Sequence, residues 1–181
     1  MNKIALVHNG SGYIDELKDL LKKILAGSEL ITLKPGEDMS GFDAYVFSGR
    51  SSRSHVSLRE AFRAIELVLE SPVLYICFGA EALNLYLGGT LRVNSSFLKG
   101  DIAVDFKGSK YIDDGQYYFY ASRHLNIGRL NFLSKPVGFS SYGVEAFEFK
   151  KSLALMFHPE RSKAQGEKIV RSFLEKSLKA H

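Results

Sequence analysis

Residues 72–89 read PVLYICFGAEALNLYLGG and join a short apolar segment to a helical pattern through a single cysteine. Val73–Ile76 has the continuous apolar character of a strand that is covered on both faces. Residues 80–87 have helical spacing and end at a pair of glycines. A sharp strand-to-helix turn at Cys77 lifts its side chain clear of the sheet and points it at a helix N-terminus. Free N–H groups at such a terminus favour a thiolate and can hold an oxyanion.

The residues on either side of this turn predict the fold class. Upstream, short apolar strands alternate with amphipathic helices, which predicts parallel strands joined by right-handed crossovers. Downstream of about residue 91, closely spaced segments rich in Val, Phe and Tyr predict appended antiparallel strands. We therefore expect one α/β domain over residues 1–181, with a Rossmann-like, mostly parallel central sheet flanked by helices and antiparallel strands in the C-terminal half. The expected strands are 3–8, 30–33, 44–47, 73–76, 101–106, 117–121, 136–140, 144–150 and 153–157, and the expected helices are 14–25, 58–70, 80–87 and 164–179.

Composition and charge exclude several classes of protein. No run of eighteen apolar residues is present, so no membrane span is expected, and the apolar part of the N-terminus is too short for a secretory signal. We expect a cytoplasmic protein. The net charge of +4 is spread along amphipathic patterns, which does not indicate a nucleic-acid partner. One cysteine forms no internal disulfide, and no cysteine cluster suggests zinc, so neither a metal nor an organic cofactor is expected.

A second candidate element is Phe157-His158-Pro159-Glu160, at the end of the expected strand 153–157. A histidine and a glutamate two residues apart on extended backbone point to the same side. The carboxylate can then fix the imidazole tautomer and stabilise the imidazolium, as in a nucleophile–base–acid triad. A lone cysteine is usually a small buried hydrophobic residue, and a His-Pro-Glu turn is usually structural. Their occurrence together favours catalysis.

Several segments of the chain resemble class I glutamine amidotransferases. VLYICFGAEALNLYLGG (73–89) resembles the nucleophile segment of that family, FHPERS (157–162) its histidine–glutamate motif, and GFDAYVFSGRSS (41–52) the loop that supplies part of its oxyanion hole. Arg123-His124 is similar to the family's substrate-seating loop. The segments VHNGSGY (7–13), FDAYVFSG (42–49) and HPERSKAQGEKIVRSFLEK (158–176) most resemble the amidotransferase subunit of GMP synthase.

The resemblance implies hydrolysis of glutamine to glutamate and ammonia through a cysteine thioester. Carried over by motif, Cys77 is the nucleophile, His158 moves the proton and Glu160 orients His158. The backbone N–H groups of Phe78 and of the Gly49–Arg50 loop are expected to hold the oxyanion, and Glu81 and His124 are expected to contact glutamine. Ammonia is expected to pass to a separate synthase subunit, with the ATP pyrophosphatase subunit of GMP synthase as the first candidate and chorismate-using synthases as the next.

Three positions depart from the family pattern. Tyr75 replaces a glycine and brings a bulky side chain to a tight turn. Glu81 replaces a glutamine, which removes an amide donor and adds a negative charge. Arg50 stands in a loop that usually has glycine and proline, so its backbone must suit a non-glycine residue. These departures leave two alternatives open: a non-catalytic amidotransferase-fold module for binding or regulation, and a related cysteine hydrolase that acts on another γ-glutamyl substrate.

Overall fold

A nine-stranded mixed sheet forms the centre of the molecule in a computed structural model that describes residues 1–179. Its strand order is β2-β1-β3-β4-β9-β8-β7-β5-β6. The strands are β1 (Lys3–Val7), β2 (Glu29–Leu33), β3 (Ala44–Phe47), β4 (Val73–Ile76), β5 (Thr90–Phe106), β6 (Gly115–Arg129), β7 (Lys135–Ser140), β8 (Gly143–Phe149) and β9 (Ser152–Leu155). The helices are α1 (Ile14–Ile24), α2 (Leu58–Val68), α3 (Phe78–Tyr86) and α4 (Lys163–Leu178), and Pro159–Arg161 forms a 3₁₀ turn.

The first half of the sheet is parallel and buried between helices. Strands β2, β1, β3, β4 and β9 run parallel to one another. Leu17 and Leu21 of α1 and Phe173 of α4 pack on one face, while Ile65 of α2 and Leu83 of α3 pack on the other. Because both faces are covered, β3, β4 and residues 4–7 of β1 are apolar and buried, as the sequence predicted, whereas the edge strand β2 is only partly buried. The Rossmann-like α/β prediction is confirmed. No helix in residues 1–179 has the length and apolar character needed to cross a membrane.

The second half of the sheet differs from the predicted strands in length and pairing. β5 and β6 form a long antiparallel hairpin, although the sequence predicted only 101–106 and 117–121. The missed parts of both strands are mixed in polarity and largely exposed, so they lack the alternation that marks a half-buried strand. β9 was predicted among the antiparallel strands, yet it pairs antiparallel with β8 and parallel with β4. It therefore joins the two halves of the sheet.

Candidate active site

Cys77 occupies a sharp turn between β4 and α3. Its backbone has φ 49° and ψ −105°, a left-handed conformation that is strained for any residue other than glycine. Its N–H donates to the Leu155 carbonyl at 2.7 Å, and its own carbonyl accepts from Glu81 N–H at 2.9 Å. The helix begins directly at Phe78, two residues earlier than predicted. The nucleophile-type turn is therefore present, with a cysteine that is only 5% exposed.

The residues that flank Cys77 accommodate this turn. A Cβ added to Gly79 would lie 3.1 Å from Cβ of Phe47 and 3.2 Å from its carbonyl oxygen, so α3 packs closely on β3 at this point. Tyr75 does not prevent the turn. Its side chain belongs to the core cluster that contains α2 and α3, where its ring lies 5.0 Å from that of Phe47, whereas Cys77 belongs to the cluster on the α1 and α4 side. Residues two apart on a regular strand share a face, so it is the turn after Ile76, with the positive φ of Cys77, that places the thiol on the opposite side from the ring.

His158 and Glu160 form a buried pair shortly after β9, which ends at Leu155. Nδ1 of His158 lies 2.8 Å from Oε1 of Glu160, and the two side chains are almost completely buried. The sequence predicted that continuous extended backbone directs the two side chains to the same side. The structure differs from this prediction. His158 is extended, but Glu160 lies within the 3₁₀ turn that begins at Pro159. The N–H of His158 donates to the Tyr120 carbonyl at 2.8 Å, which fixes this turn against β6.

The surroundings of His158 favour its charged form. Burial opposes ionisation of the imidazole, but the charge of Cys77, hydrogen bonding with Cys77 and the Glu160 carboxylate together raise the pKa of His158 well above its ordinary value. Because Nδ1 is engaged by Glu160, Nε2 is the nitrogen left for proton exchange. An imidazolium that faces a cysteine stabilises the thiolate, which is the nucleophilic form.

The loop after β3 lies directly against this pair. A Cβ added to Gly49 would be 3.0 Å from Cε1 of His158 and 3.5 Å from Cβ of Cys77, so only glycine fits without displacing the imidazole. Arg50 does not have a positive φ, so its backbone conformation suits a residue other than glycine, as the sequence analysis required. Within residues 1–179, the N–H groups of Gly49, Arg50 and Phe78 donate no backbone hydrogen bond. No backbone acceptor of the described residues therefore occupies them.

A cavity of about 520 Å³ brings most of the predicted site residues together. Six of the predicted residues line it: Cys77, His158, Phe78, Arg50, Glu81 and His124. Glu160 lies behind His158, and Gly49 lies beside the Cys77–His158 pair. Two other surface depressions, near α1 and α4, contain no cysteine or histidine. In the described chain, no three His, Cys, Asp or Glu side chains are grouped as metal ligands.

The structure places Arg123 and His124 on strand β6, although the sequence placed them on a loop. Side chains alternate along the strand, so the two residues have different roles. His124 is exposed at the cavity, and its ring lies 4.6 Å from that of Phe97. Arg123 is buried and pairs with Glu145 at 2.6 Å. It also donates to Asn126 Oδ1 and to the Met156 carbonyl.

Several residues that line the cavity, among them Tyr13 and Phe97, were not predicted from the sequence as site residues. Tyr13 packs edge-on against His158 with 5.0 Å between ring centroids, and its hydroxyl donates to Ser122 Oγ at 3.3 Å. Tyr13 follows β1 closely, at the carboxyl edge of the parallel strands, where ligands of α/β sheets bind. This position could have identified Tyr13 as a site residue. No sequence feature identified Phe97 as a cavity residue. It reaches the cavity from an irregular segment of β5, where pairing with β6 is interrupted between Val93 and Leu98.

Known proteins that are similar to the chain in sequence include two relatives that are named for synthases. The chain is 26% identical to the imidazole glycerol phosphate synthase subunit HisH of Pyrobaculum aerophilum, over 94% of this chain and 96% of the relative. It is 31% identical to a glutamine-hydrolysing GMP synthase of a Bradyrhizobium species, over 62% of this chain and only 23% of that longer relative. No protein-family model matches the chain.

Two solved structures share the fold. One is a protein from Thermoplasma acidophilum described as a subunit of GMP synthase, with a TM-score of 0.87 and 22% identity over 99% of this chain and 96% of that chain. The other is a glutamine amidotransferase from Thermotoga maritima, with a TM-score of 0.81 and 17% identity over 98% of each chain. At these identities, the two structures show that the architecture is shared.

Proposed function

We propose that the chain is a class I glutamine amidotransferase, which hydrolyses glutamine to glutamate and ammonia and supplies the ammonia to a synthase. The observation that carries the proposal is the convergence of Cys77, His158 and Glu160 at one cavity, beside unengaged backbone N–H groups. Nothing in the packing of an α/β sheet requires a strained cysteine, a buried His–Glu pair and a close glycine at the same edge.

In the proposed reaction, the Cys77 thiolate attacks the side-chain carboxamide carbon of glutamine. The carbonyl π electrons move to oxygen, and the N–H groups of Phe78 and of the Gly49–Arg50 loop stabilise the resulting oxyanion. His158 gives its proton to the departing nitrogen, so ammonia leaves and a thioester remains. His158 then takes a proton from water as the water attacks the thioester. Collapse of the second oxyanion releases glutamate and returns the thiolate.

The identity of the synthase is the finer part of the proposal. The two sequence relatives are named for different synthases, imidazole glycerol phosphate synthase and GMP synthase. We favour the ATP pyrophosphatase subunit of GMP synthase, because segments 7–13, 42–49 and 158–176 most resemble the amidotransferase subunit of that enzyme. Chorismate-using synthases come next. Residues 1–181 are proposed to act as one amidotransferase-like domain in the cytoplasm.

Covalent labelling with the glutamine analogue 6-diazo-5-oxo-L-norleucine tests the proposal without the partner. We expect one adduct on Cys77, detected by intact-protein mass spectrometry and peptide mapping, and suppressed by excess glutamine. Cys77→Ala is expected to give no adduct and no glutamine hydrolysis. If iodoacetamide alkylates Cys77 while the analogue does not, the glutamine pocket is absent and a non-catalytic module or a different γ-glutamyl substrate is favoured. Hydrolysis by Cys77→Ala within a few-fold of the parent chain would remove Cys77 as the nucleophile.

A further inference from the structure

Glu81 is a buried acidic group of the cavity that the proposed reaction does not use. It lies in the first turn of α3, is 7% exposed, and lines the same cavity as Cys77. The charges that act on its carboxyl group are those of Arg50, Arg123 and His158, and no hydrogen bond to the carboxyl occurs in residues 1–179. Buried carboxylates are normally hydrogen-bonded or paired. Its oxygens are not among the fully enclosed unpaired atoms of the described residues, so they face the cavity and are accessible to a ligand there.

Arg50, Arg123 and His158 each contact groups other than Glu81. Arg123 is paired with Glu145 and donates to the Met156 carbonyl. Arg50 lies over the Phe78 ring at 3.9 Å and donates to the Val56 carbonyl at 3.1 Å. His158 is engaged by Glu160 at 2.8 Å. Glu81 thus experiences their positive potential without direct contact.

This environment keeps a proton on Glu81 near neutral pH. Burial raises the pKa of Glu81 to about 7, even though Arg50, Arg123 and His158 act in the opposite direction. A neutral carboxylic acid donates and accepts hydrogen bonds, as a carboxamide does, whereas a carboxylate only accepts. Within the neutral pH range, Glu81 therefore changes from a group that can donate a hydrogen bond to a ligand into one that can only accept.

We propose that Glu81 is a ligand-recognition residue that binds a substrate oxygen as a neutral carboxylic acid and that, when ionised, excludes substrates bearing a carboxylate. The proposal rests on the proposed function and concerns its substrate class, amino acids that carry both a side-chain carboxamide and a free carboxylate. A substrate carboxylate is attracted by the three cations of the cavity. An ionised Glu81 repels that carboxylate, because two negative charges then share one buried site.

The test compares two rates of Cys77 modification between pH 6 and pH 8.5. One is inactivation by 6-diazo-5-oxo-L-norleucine, which needs the pocket, and the other is alkylation by iodoacetamide, which reports the thiol. Their ratio removes the effect of thiolate formation. We expect the ratio to fall by at least tenfold above pH 7 in the parent chain, and to stay within about twofold in Glu81→Gln, whose side chain is neutral throughout.

The outcomes separate this inference from the proposed function. Equal pH dependence in both proteins, or a flat ratio in the parent chain, overturns the role of Glu81 while leaving the glutamine pocket in place. Iodoacetamide labelling without any analogue adduct, in both proteins and at every pH, overturns the proposed function and this inference together. Circular dichroism checks that Glu81→Gln is folded. If it is not, the pH dependence of the parent chain alone decides between a proton-dependent and a proton-independent pocket.

Discussion

At the scale of single residues, the site depends on close contacts that few side chains satisfy. Cys77 adopts a left-handed backbone, and Gly49 lies against the imidazole of His158 with no room for a methyl group. Strain of this kind persists only where the surrounding packing enforces it. Here the enforcing contacts are the hydrogen bond from Cys77 N–H to Leu155 and the packing of Gly79 on Phe47.

Gly49→Ala tests the contact with His158. The added methyl would lie 3.0 Å from Cε1 of His158, so the imidazole must shift by a few tenths of an ångström. Because small misplacements of catalytic groups are costly, we expect glutamine hydrolysis to fall by about 10- to 100-fold with little change in KM. Steady-state kinetics measure the effect, and thermal unfolding checks that the fold is kept. Unchanged kcat would show that the imidazole tolerates this displacement.

Glu81→Gln tests the buried proton through stability. The folded chain keeps a proton on Glu81 up to about pH 7, whereas an unfolded glutamate loses it near pH 4.5. The folded state thus binds more protons in this window, so the contribution of Glu81 to stability falls as pH rises through it. Between pH 4 and pH 8, the difference in unfolding free energy should move in favour of the variant by up to about 3 kcal/mol. Urea unfolding at both pH values measures it, and a constant difference would contradict it.

At the scale of elements, the β5–β6 hairpin is the part of the chain that closes the cavity. Phe97 of β5 and Ser122, Arg123 and His124 of β6 line it, facing the edge of the parallel sheet where Cys77 lies. The interruption of pairing after Val93 lets Phe97 leave the regular strand and pack against the ring of His124. A strand irregularity of this kind re-aims a side chain next to a site.

Phe97→Ala is expected to weaken glutamine binding by removing this wall. Phe97 is 45% exposed, so its loss should affect stability little. We expect KM for glutamine to rise by about three- to tenfold, with a smaller change in kcat, as the loss of one apolar contact predicts. Val93→Ala is the matched control, since Val93 lies on the same strand, is 76% exposed and does not line the cavity. A similar rise in both variants would point to a general effect on the hairpin.

At the scale of the whole molecule, a buried ion pair ties the antiparallel half of the sheet to the segment that leads to His158. Arg123 of β6 pairs with Glu145 of β8, which also accepts from Ser140 Oγ of β7 at 2.7 Å. Arg123 in addition donates to the Met156 carbonyl, two residues before His158. Burial raises the pKa of Glu145, and Arg123 opposes that rise. The pair therefore costs desolvation but fixes the hairpin relative to the turn that carries His158.

Glu145→Ala is expected to destabilise the protein strongly, because it leaves the Arg123 guanidinium buried without its partner. Such a change typically costs about 3–5 kcal/mol. Denaturant unfolding measures the loss. Glu70→Ala is the control, since Glu70 forms an ion pair with Lys150 at the surface, where the expected cost is about 0–1 kcal/mol. Equal effects of the two substitutions would show that the buried pair has no special role in stability.

The local sequence determined those strands, helices and motifs that depend on residues close together in the chain. Continuous apolar runs marked the buried parallel strands, because strands covered on both faces need apolar side chains throughout. The turn at Cys77 and the His158–Glu160 spacing predicted a nucleophile–base–acid arrangement, since both motifs depend on residues a few positions apart, and the amidotransferase interpretation came from the resemblance of these segments to that family. These predictions required no knowledge of distant contacts.

Only the tertiary structure decided how those pieces meet. The extent of the β5–β6 hairpin, the placement of Phe97 and Tyr13 at the cavity, and the unpartnered state of Glu81 arise from contacts between residues far apart in the chain. Burial and the field of surrounding charges set the protonation of Glu81, and neither is encoded in its immediate neighbours. Sequence thus determined which groups this protein carries at its site, and folding decided their environment, because solvent exclusion and long-range packing exist only in the folded chain.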